Sequence, residues 1–238
     1  MIAVAMTARE ADCDNPSEKQ ATPGSATIFL ALGTNLGDRE ANLREATHRI
    51  AALGLTITRR SSIYETEPVG YADQEWFLNQ VIEAEMPREL MLDLNEKNEP
   101  QLERDDEPGV EPALSDRLVL LLAALLRIES EMGRRRVIIN GPRVIDIDIL
   151  LCDGISGVFG NRRKEQDHHS PSMNEPSSDD RLPQLILPHP RLHLRRFVLA
   201  PLSEIAPGLI HPTLQQSIRE LLDGVNDPSI VRLYRATA

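Results

Sequence analysis

Aromatic residues are scarce, at 3% of 238 residues, so a hydrophobic core has to be built from Leu, Ile, Val and Ala. There are only two cysteines, Cys13 and Cys152, far apart and without metal-ligand spacing. That argues against a disulfide framework or a cysteine metal site and fits a reduced, cytoplasmic setting. Long hydrophobic runs are missing too. The longest, Leu118 to Leu126, lies between Arg117 and Arg127 and is far short of the ~20 residues of a membrane span. The first ten residues, MIAVAMTARE, have no basic start and lead into Asp12 and Asp14, unlike a secretory signal. Positive charge is in deficit: 26 Lys and Arg against 37 Asp and Glu, a formal net charge of −11. Such a chain repels polyanions, so neither nucleic acid nor an anionic membrane is an expected partner. Small phosphorylated ligands answer to local charge and stay open. There is no G-x-x-x-x-G-K-[S/T] and no G-x-G-x-x-G, so no P-loop, dinucleotide fold or protein kinase is indicated.

The length is enough for one or two domains with a substantial core. Residues 1–25 are small and polar and read as a disordered leader. From 26 to 238 the chain reads as a single domain, most simply a monomer, with polar insertions at about 98–114 and 153–183, the first acidic and Pro-containing. Thr27 to Leu32 reads as a buried strand closed by Gly33-Thr34-Asn35, a turn signal. A helix follows, with Asp38 as N-cap, Leu43, Ala46, Ile50 and Leu53 at helical spacing, and Gly54 at C′. Leu55 to Tyr64 and Trp76 to Glu85 read as strands, and 87–95 as a short helix. An amphipathic helix is predicted from Ser115 to Met132, with Leu118, Leu121, Leu122, Leu125, Ile128 and Met132 in one stripe and Gly133 as stop. Val144 to Leu151 reads as a strand, and Leu185 to Tyr234 rejoins the domain. This order predicts an α+β, ferredoxin-like α/β sandwich, an antiparallel-rich sheet with helices packed on one side.

Asp146 and Asp148 interrupt that last apolar strand, between Ile145, Ile147 and Ile149. Residues i and i+2 share a strand face, so the two carboxylates project together, about 6.6 Å apart along the strand. Bare, they would repel by about 2.5 kcal/mol at an effective dielectric near 20. Divalent cations relieve that cost, because Mg²⁺ is held by one or two carboxylates together with substrate phosphates. A solvent-facing strand edge would carry the same pair without a metal. Nearby stand Arg134, Arg135, Arg136 and Arg143, whose guanidinium groups grip phosphate oxygens bidentately or simply cap a helix C-terminus. His189, Arg191, His193, Arg195 and Arg196 concentrate cations between prolines. Tyr64 to Gly70, with Gln74, Phe77 and Asn79, forms a Pro/Gly loop able to read a flat heteroaromatic ring by its edges while Phe77 stacks.

Together ALGTNLGDREANL, SSIYETEPVGYADQEWFLNQV, IESEMGRRR, NGPRVIDIDILL and LPHPRLHLRRFVLAPLSEIAP resemble, in the same order, the 6-hydroxymethyl-7,8-dihydropterin pyrophosphokinases of folate synthesis. The resemblance implies a transferase that moves diphosphate from ATP to the hydroxymethyl group of the pterin and releases AMP. It implies two Mg²⁺ ions on Asp146 and Asp148, and Arg134 and Arg143 as loop arginines assisting transfer. Glu129, Arg136, His189 and Arg195 match ATP contacts. Thr66, Val69, Phe77, Asn79 and Phe197 match the pterin pocket, with the two phenyl rings sandwiching the ligand. Ile139 stands where the family usually has a charge, Asn140 where some members have Trp, and the loop between Arg136 and Arg143 is short. Two rivals remain: another Mg²⁺-dependent nucleotidyl or phosphoryl transferase, and a non-catalytic ferredoxin-like binding module.

Overall fold

The computed structural model describes residues 25–71, 73–87, 114–135, 141–160 and 183–235. The readings of residues 1–24, of 88–95 as helix, and of Arg136, Ile139 and Asn140 lie outside them, as does most of both insertions.

Strand β1 (Ala26–Thr34) lies inside the sheet. It pairs with β4 (Phe77–Met86) on one side and β5 (Asp146–Cys152) on the other. Beyond β4 lie β3 (Tyr64–Thr66) and β8 (Val231–Leu233), and β2 (Thr56–Arg60) also pairs with β4. All pairings in this six-stranded sheet are antiparallel among the described residues, so the chain is α+β as expected. The span Leu55 to Tyr64, expected as one strand, is two. The register shifts between Ile57 and Arg59, and the Thr58 hydroxyl donates to the Glu83 carbonyl at 3.2 Å. Such a bulge bends the strand, which still runs to Arg60; the ladder to β4 stops there and resumes with Tyr64 opposite Asn79.

Helix α1 (Arg39–Ala52) starts where Asp38 caps it, its carboxylate accepting from the Ala41 amide at 2.9 Å. It ends at Leu53, and Gly54 takes φ +93, the left-handed turn that spares a Cβ. Helix α2 (Leu114–Glu131) is followed by Gly133 at φ +94 in the same way. Leu43, Ala46 and Ile50 of α1 pack with Leu118, Leu121, Leu125 and Ile128 of α2. They cover one face of the sheet, formed by Ile28, Leu30, Leu32, Leu78, Ile82, Ala84, Ile147 and Ile149. Each such side chain removed from water stabilises by roughly 1.5–3 kcal/mol.

The other face is also covered, which corrects the expectation of helices on one side. Helices α3 (Arg196–Ile205) and α4 (Ile218–Gly224) bury Val198, Leu199, Leu202, Ile218 and Leu221 against Phe29, Val81, Leu150 and Leu151. A bulge between Phe29 and Leu30 puts consecutive residues Leu150 and Leu151 in this one cluster. A two-stranded sheet of β6 (Gly157–Phe159) and β7 (Leu185–Leu187) flanks α2. Residues 157–159, read as part of a polar insertion, are therefore strand. Among the described residues no helix is long and apolar enough to cross a membrane.

Candidate active site

The face that meets α3 and α4 is filled along only part of its length. Toward the start of β5 it opens into a pocket of about 690 Å³. Strand register explains its floor. Gly33 lies opposite Asn79 on one side and Asp146 on the other, and Ala31 lies opposite Val81 and Asp148. Cross-strand partners share a face, so Asn79, Gly33 and Asp146 form a row with Ala31 and Asp148 beside it. The glycine provides space: a Cβ at Gly33 would come within 2.8 Å of the Asn79 side-chain oxygen. The Asn79 amide donates to Thr66 Oγ1 at 2.7 Å.

Twelve of the thirteen expected residues line this one pocket: Thr66, Val69, Phe77, Asn79, Glu129, Arg134, Arg143, Asp146, Asp148, His189, Arg195 and Phe197. Val69 sits at its rim, 52% exposed. The thirteenth, Arg136, lies outside the described residues. Both oxygens of Asp146 are taken by guanidinium groups, Oδ1 by Arg134 and Oδ2 by Arg143, each at 2.5 Å. Arg134 also reaches Glu129 at 2.5 Å. Glu129 in turn accepts the Ile147 amide at 2.6 Å, tying α2 to the aspartate strand. Burial pushes the Glu129 carboxyl up to about 7; Arg134 opposes the rise and Asp146 adds to it. Asp148 makes no hydrogen bond or ion pair among the described residues. Burial, and after it the Asp146 carboxylate, push it up to about 6, with Arg195 pulling the other way.

Facing the carboxylates is a cationic wall. The bulge at Leu150 leaves its carbonyl to accept the His189 amide at 2.9 Å. The Arg191 amide donates to His189 Nδ1 at 3.3 Å, which places the ring proton on Nε2. Burial, together with Arg195 and Arg191, lowers His189 to about 4, so it is neutral near pH 7. Arg191 and Arg195 have no carboxylate partner among the described residues. The Arg143 guanidinium lies 5.2 Å from the Phe77 centroid, and that of Arg195 lies 5.4 Å from the Phe197 centroid. Arginines thus stand over the two rings expected to sandwich a ligand. Arg143 Nε is buried without a partner.

Sequence reading missed Asn35, taken only as part of a turn. Asn35 is 2% exposed. Its side-chain oxygen accepts the Arg143 amide at 2.8 Å, and its own amide N–H donates to the Arg143 carbonyl at 3.1 Å. Its side-chain nitrogen donates to Gln74 Oε1 and the Glu75 carbonyl, both at 3.0 Å. Gln74, expected among the ring-reading groups, belongs to this brace instead. Leu122 and Leu126 of α2, with Pro183 and Gln184, complete the pocket wall; the sequence reads Leu122 only as part of the core stripe and leaves Leu126 outside it.

The profile of the 7,8-dihydro-6-hydroxymethylpterin-pyrophosphokinase (HPPK) family matches residues 29–119 and 109–207. The chain is 35% identical over 210 residues to the 2-amino-4-hydroxy-6-hydroxymethyldihydropteridine pyrophosphokinase of Bacillus subtilis (strain 168), covering 87% of this chain and 89% of that one. It is 32% identical over 206 residues to the protein of the same name from Methylorubrum extorquens, covering 86% and 97%. Among solved structures it resembles a Plasmodium falciparum HPPK-DHPS, with a TM-score of 0.52 at 16% identity. That likeness is one of fold, and covers 87% of this chain but only 46% of the longer one. The chain belongs to the 7,8-dihydro-6-hydroxymethylpterin-pyrophosphokinase family.

Proposed function

We propose that this pocket transfers the β,γ-diphosphoryl group of ATP to the hydroxymethyl oxygen of 6-hydroxymethyl-7,8-dihydropterin, as membership of the family implies. The hydroxymethyl oxygen attacks Pβ in line, the bond from Pβ to the α,β-bridging oxygen breaks, AMP leaves and the hydroxyl proton is released. The observation that carries the reading is one pocket with a carboxylate pair, a cationic wall and a phenyl pair around it.

The donor set fits Mg²⁺. Asp146 and Asp148 are hard oxygen donors on one strand face, and no group of three or more metal-holding side chains exists among the described residues. Two carboxylates leave the remaining coordination to phosphate oxygens and water, the usual Mg²⁺ arrangement in phosphoryl-transfer sites. Bound there, Mg²⁺ supplies charge neutralisation of the polyphosphate. Its ions, two by the family resemblance, would rest on Asp146 and Asp148.

The protein's own groups do the rest by position and charge. Arg134 and Arg143 lie against Asp146, beside the carboxylates where the polyphosphate would be held. His189 offers its Nε2–H to an oxygen, and Arg195 a guanidinium with no competing carboxylate among the described residues. Glu129 keeps Arg134 close to β5 by binding both. On the opposite side Thr66 and Asn79 present hydroxyl and amide groups to the pterin edge, with Phe77 and Phe197 as stacking faces once the arginines turn to phosphate. Val69 closes the rim.

Product analysis tests the proposal. The purified chain with ATP, Mg²⁺ and 6-hydroxymethyl-7,8-dihydropterin should yield AMP and the pterin diphosphate in equal amounts. Release of ADP or pyrophosphate instead would identify another phosphoryl or nucleotidyl transferase. Folded protein without turnover, and without Mg²⁺-dependent ATP binding, would leave only a binding module.

A further inference from the structure

The pocket's aromatic wall is braced from behind by a residue that never enters it. Thr66 ends β3, Phe77 begins β4, and the two are cross-strand partners. Their neighbours in the chain, Glu65 and Trp76, are joined by one side chain. Arg39, the first residue of α1, donates through Nη1 to Glu65 Oε1 at 3.2 Å and to the Trp76 carbonyl at 2.8 Å. Glu65 pairs with Leu78, which belongs to the face covered by α1 and α2. Arg39 therefore grips the sheet from the face opposite the pocket. Its guanidinium also lies 5.8 Å from the Tyr234 ring centroid, and Tyr234 donates to Glu40 at 3.1 Å.

We infer that Arg39 is a positioning residue for the pterin side of the pocket, holding the wall formed by Thr66 and Phe77 to one spacing; the inference rests on reading those two residues as pterin contacts. A charged donor shared by a carboxylate and a main-chain carbonyl is among the stronger tethers available. The carbonyl it holds belongs to the residue before Phe77, so losing it frees the backbone that aims the ring. Asn35 holds the same loop at Gln74 and Glu75, so residues 35–39 grip both of its neighbouring stretches. Arg232 provides an internal contrast. It also pairs with Glu65, at 2.7 Å, and stacks on the Trp76 ring at 4.8 Å, but its side chain is 63% exposed and among the described residues it makes no hydrogen bond to the Trp76 carbonyl. That contact, Nε and Nη2 both on Glu65 Oε2, holds the carboxylate but not the backbone that leads into Phe77.

The experiment measures dissociation constants for the Mg²⁺ complex of a non-hydrolysable ATP analogue and, with that complex saturating, for 6-hydroxymethyl-7,8-dihydropterin. Steady-state kcat and KM complete it, on the full chain carrying Arg39→Met, Arg39→Lys, Arg232→Met or Phe77→Ala. Arg39→Met should weaken pterin binding about tenfold or more, the worth of one charge-assisted bond, and raise the pterin KM in parallel. Nucleotide affinity should stay within about twofold and kcat at saturating pterin within about threefold. Arg39→Lys, which keeps a charged donor on a side chain one atom shorter, should fall between, and Arg232→Met should match the parent. Unchanged pterin affinity in Arg39→Met, or equal loss of both ligands, overturns the inference. If Phe77→Ala leaves pterin binding intact, the underlying reading of the pocket has failed instead. Should Arg39→Met not fold, Glu65→Gln removes the carboxylate end of the same tether and is judged by the same ligand split.

Discussion

Along β1 the residues facing α3 and α4 shrink from Phe29 through Ala31 to Gly33, and the partner strands change chemistry in step. On β4, Val81 gives way to Asn79; on β5, Leu150 and Leu151 give way to Asp148 and Asp146. One sheet face thus has two ends. At one, bulky apolar side chains meet Leu199 and Leu202 at 0% exposure. At the other, small residues leave a hollow and polar residues line it. The packed end gains stability from its contacts. The open end gives up such contacts and brings two carboxylates together, and relieves their repulsion with Arg134 and Arg143. Substitutions at the two ends should therefore differ in kind: at the open end activity falls and the fold stays, at the packed end the reverse.

The largest effect is expected at Asp148. Asp148→Ala removes a carboxylate without a hydrogen-bond or ion-pair partner among the described residues, so little native structure depends on it. Turnover should drop by about a thousandfold or more, in the range for losing a key electrostatic contact to the transferring group, while the thermal midpoint holds or rises. Wild-type-like activity would remove the metal reading of the aspartate pair. Collapse of the fold would mean that the two ends are not separable.

At the packed end the test is Leu202→Ala. A fully buried leucine cut to alanine costs about 2–5 kcal/mol, depending on how far the cavity relaxes. Chemical denaturation should show that loss as a lower midpoint with an unchanged slope. Below the transition, ATP-analogue and pterin affinities of the folded protein should stay within about twofold of the parent. A large affinity change with little loss of stability would show that α3 transmits to the pocket, through Phe197 and Val198, rather than merely roofing the core.

How much of this contrast was legible beforehand depends on distance along the chain. The aspartates stood out because Ile145, Ile147 and Ile149 fixed the strand phase around them. The cap at Asp38 and the stops at Gly54 and Gly133 were local chemistry, and local chemistry survives without knowledge of the fold. Gly33 was different. Its role comes from lying between Asn79 and Asp146, a row created by strand order, which no single segment specifies. Asn35 was hidden for the same reason, since its partners are 39, 40 and 108 residues away. The second layer of helices went unread because α3 and α4 are short, and their apolar residues match an apolar surface only once Phe29 and Val81 are seen to face it. The break between β2 and β3 was unread because it lies in their pairing to β4, Arg60 opposite Ile82 and Tyr64 opposite Asn79, again non-local.

The smallest expected effect sharpens the comparison through pH. His189 sits at the boundary of the two ends: its amide is held by Leu150 of the packed part and its ring lines the pocket. Burial first, then Arg195 and Arg191, lower it from 6.5 to about 4, with Asp146 acting weakly the other way. Its folded pKa thus lies below its unfolded one, so the stability linked to it is complete above about pH 6.5 and is lost as pH falls toward 4. Across that window the unfolded chain takes up a proton that the folded chain refuses. His189→Asn removes the titration, so urea midpoints of parent and variant should run parallel above about pH 7. Near pH 5 the parent should lose roughly 2 kcal/mol more than the variant. A bound nucleotide should shrink that difference, because phosphate oxygens beside the ring favour its protonated form. If the gap closes with nucleotide, the cationic wall is a phosphate site. If the gap persists unchanged, His189 belongs to the packed end alone and the border between the two ends moves past it.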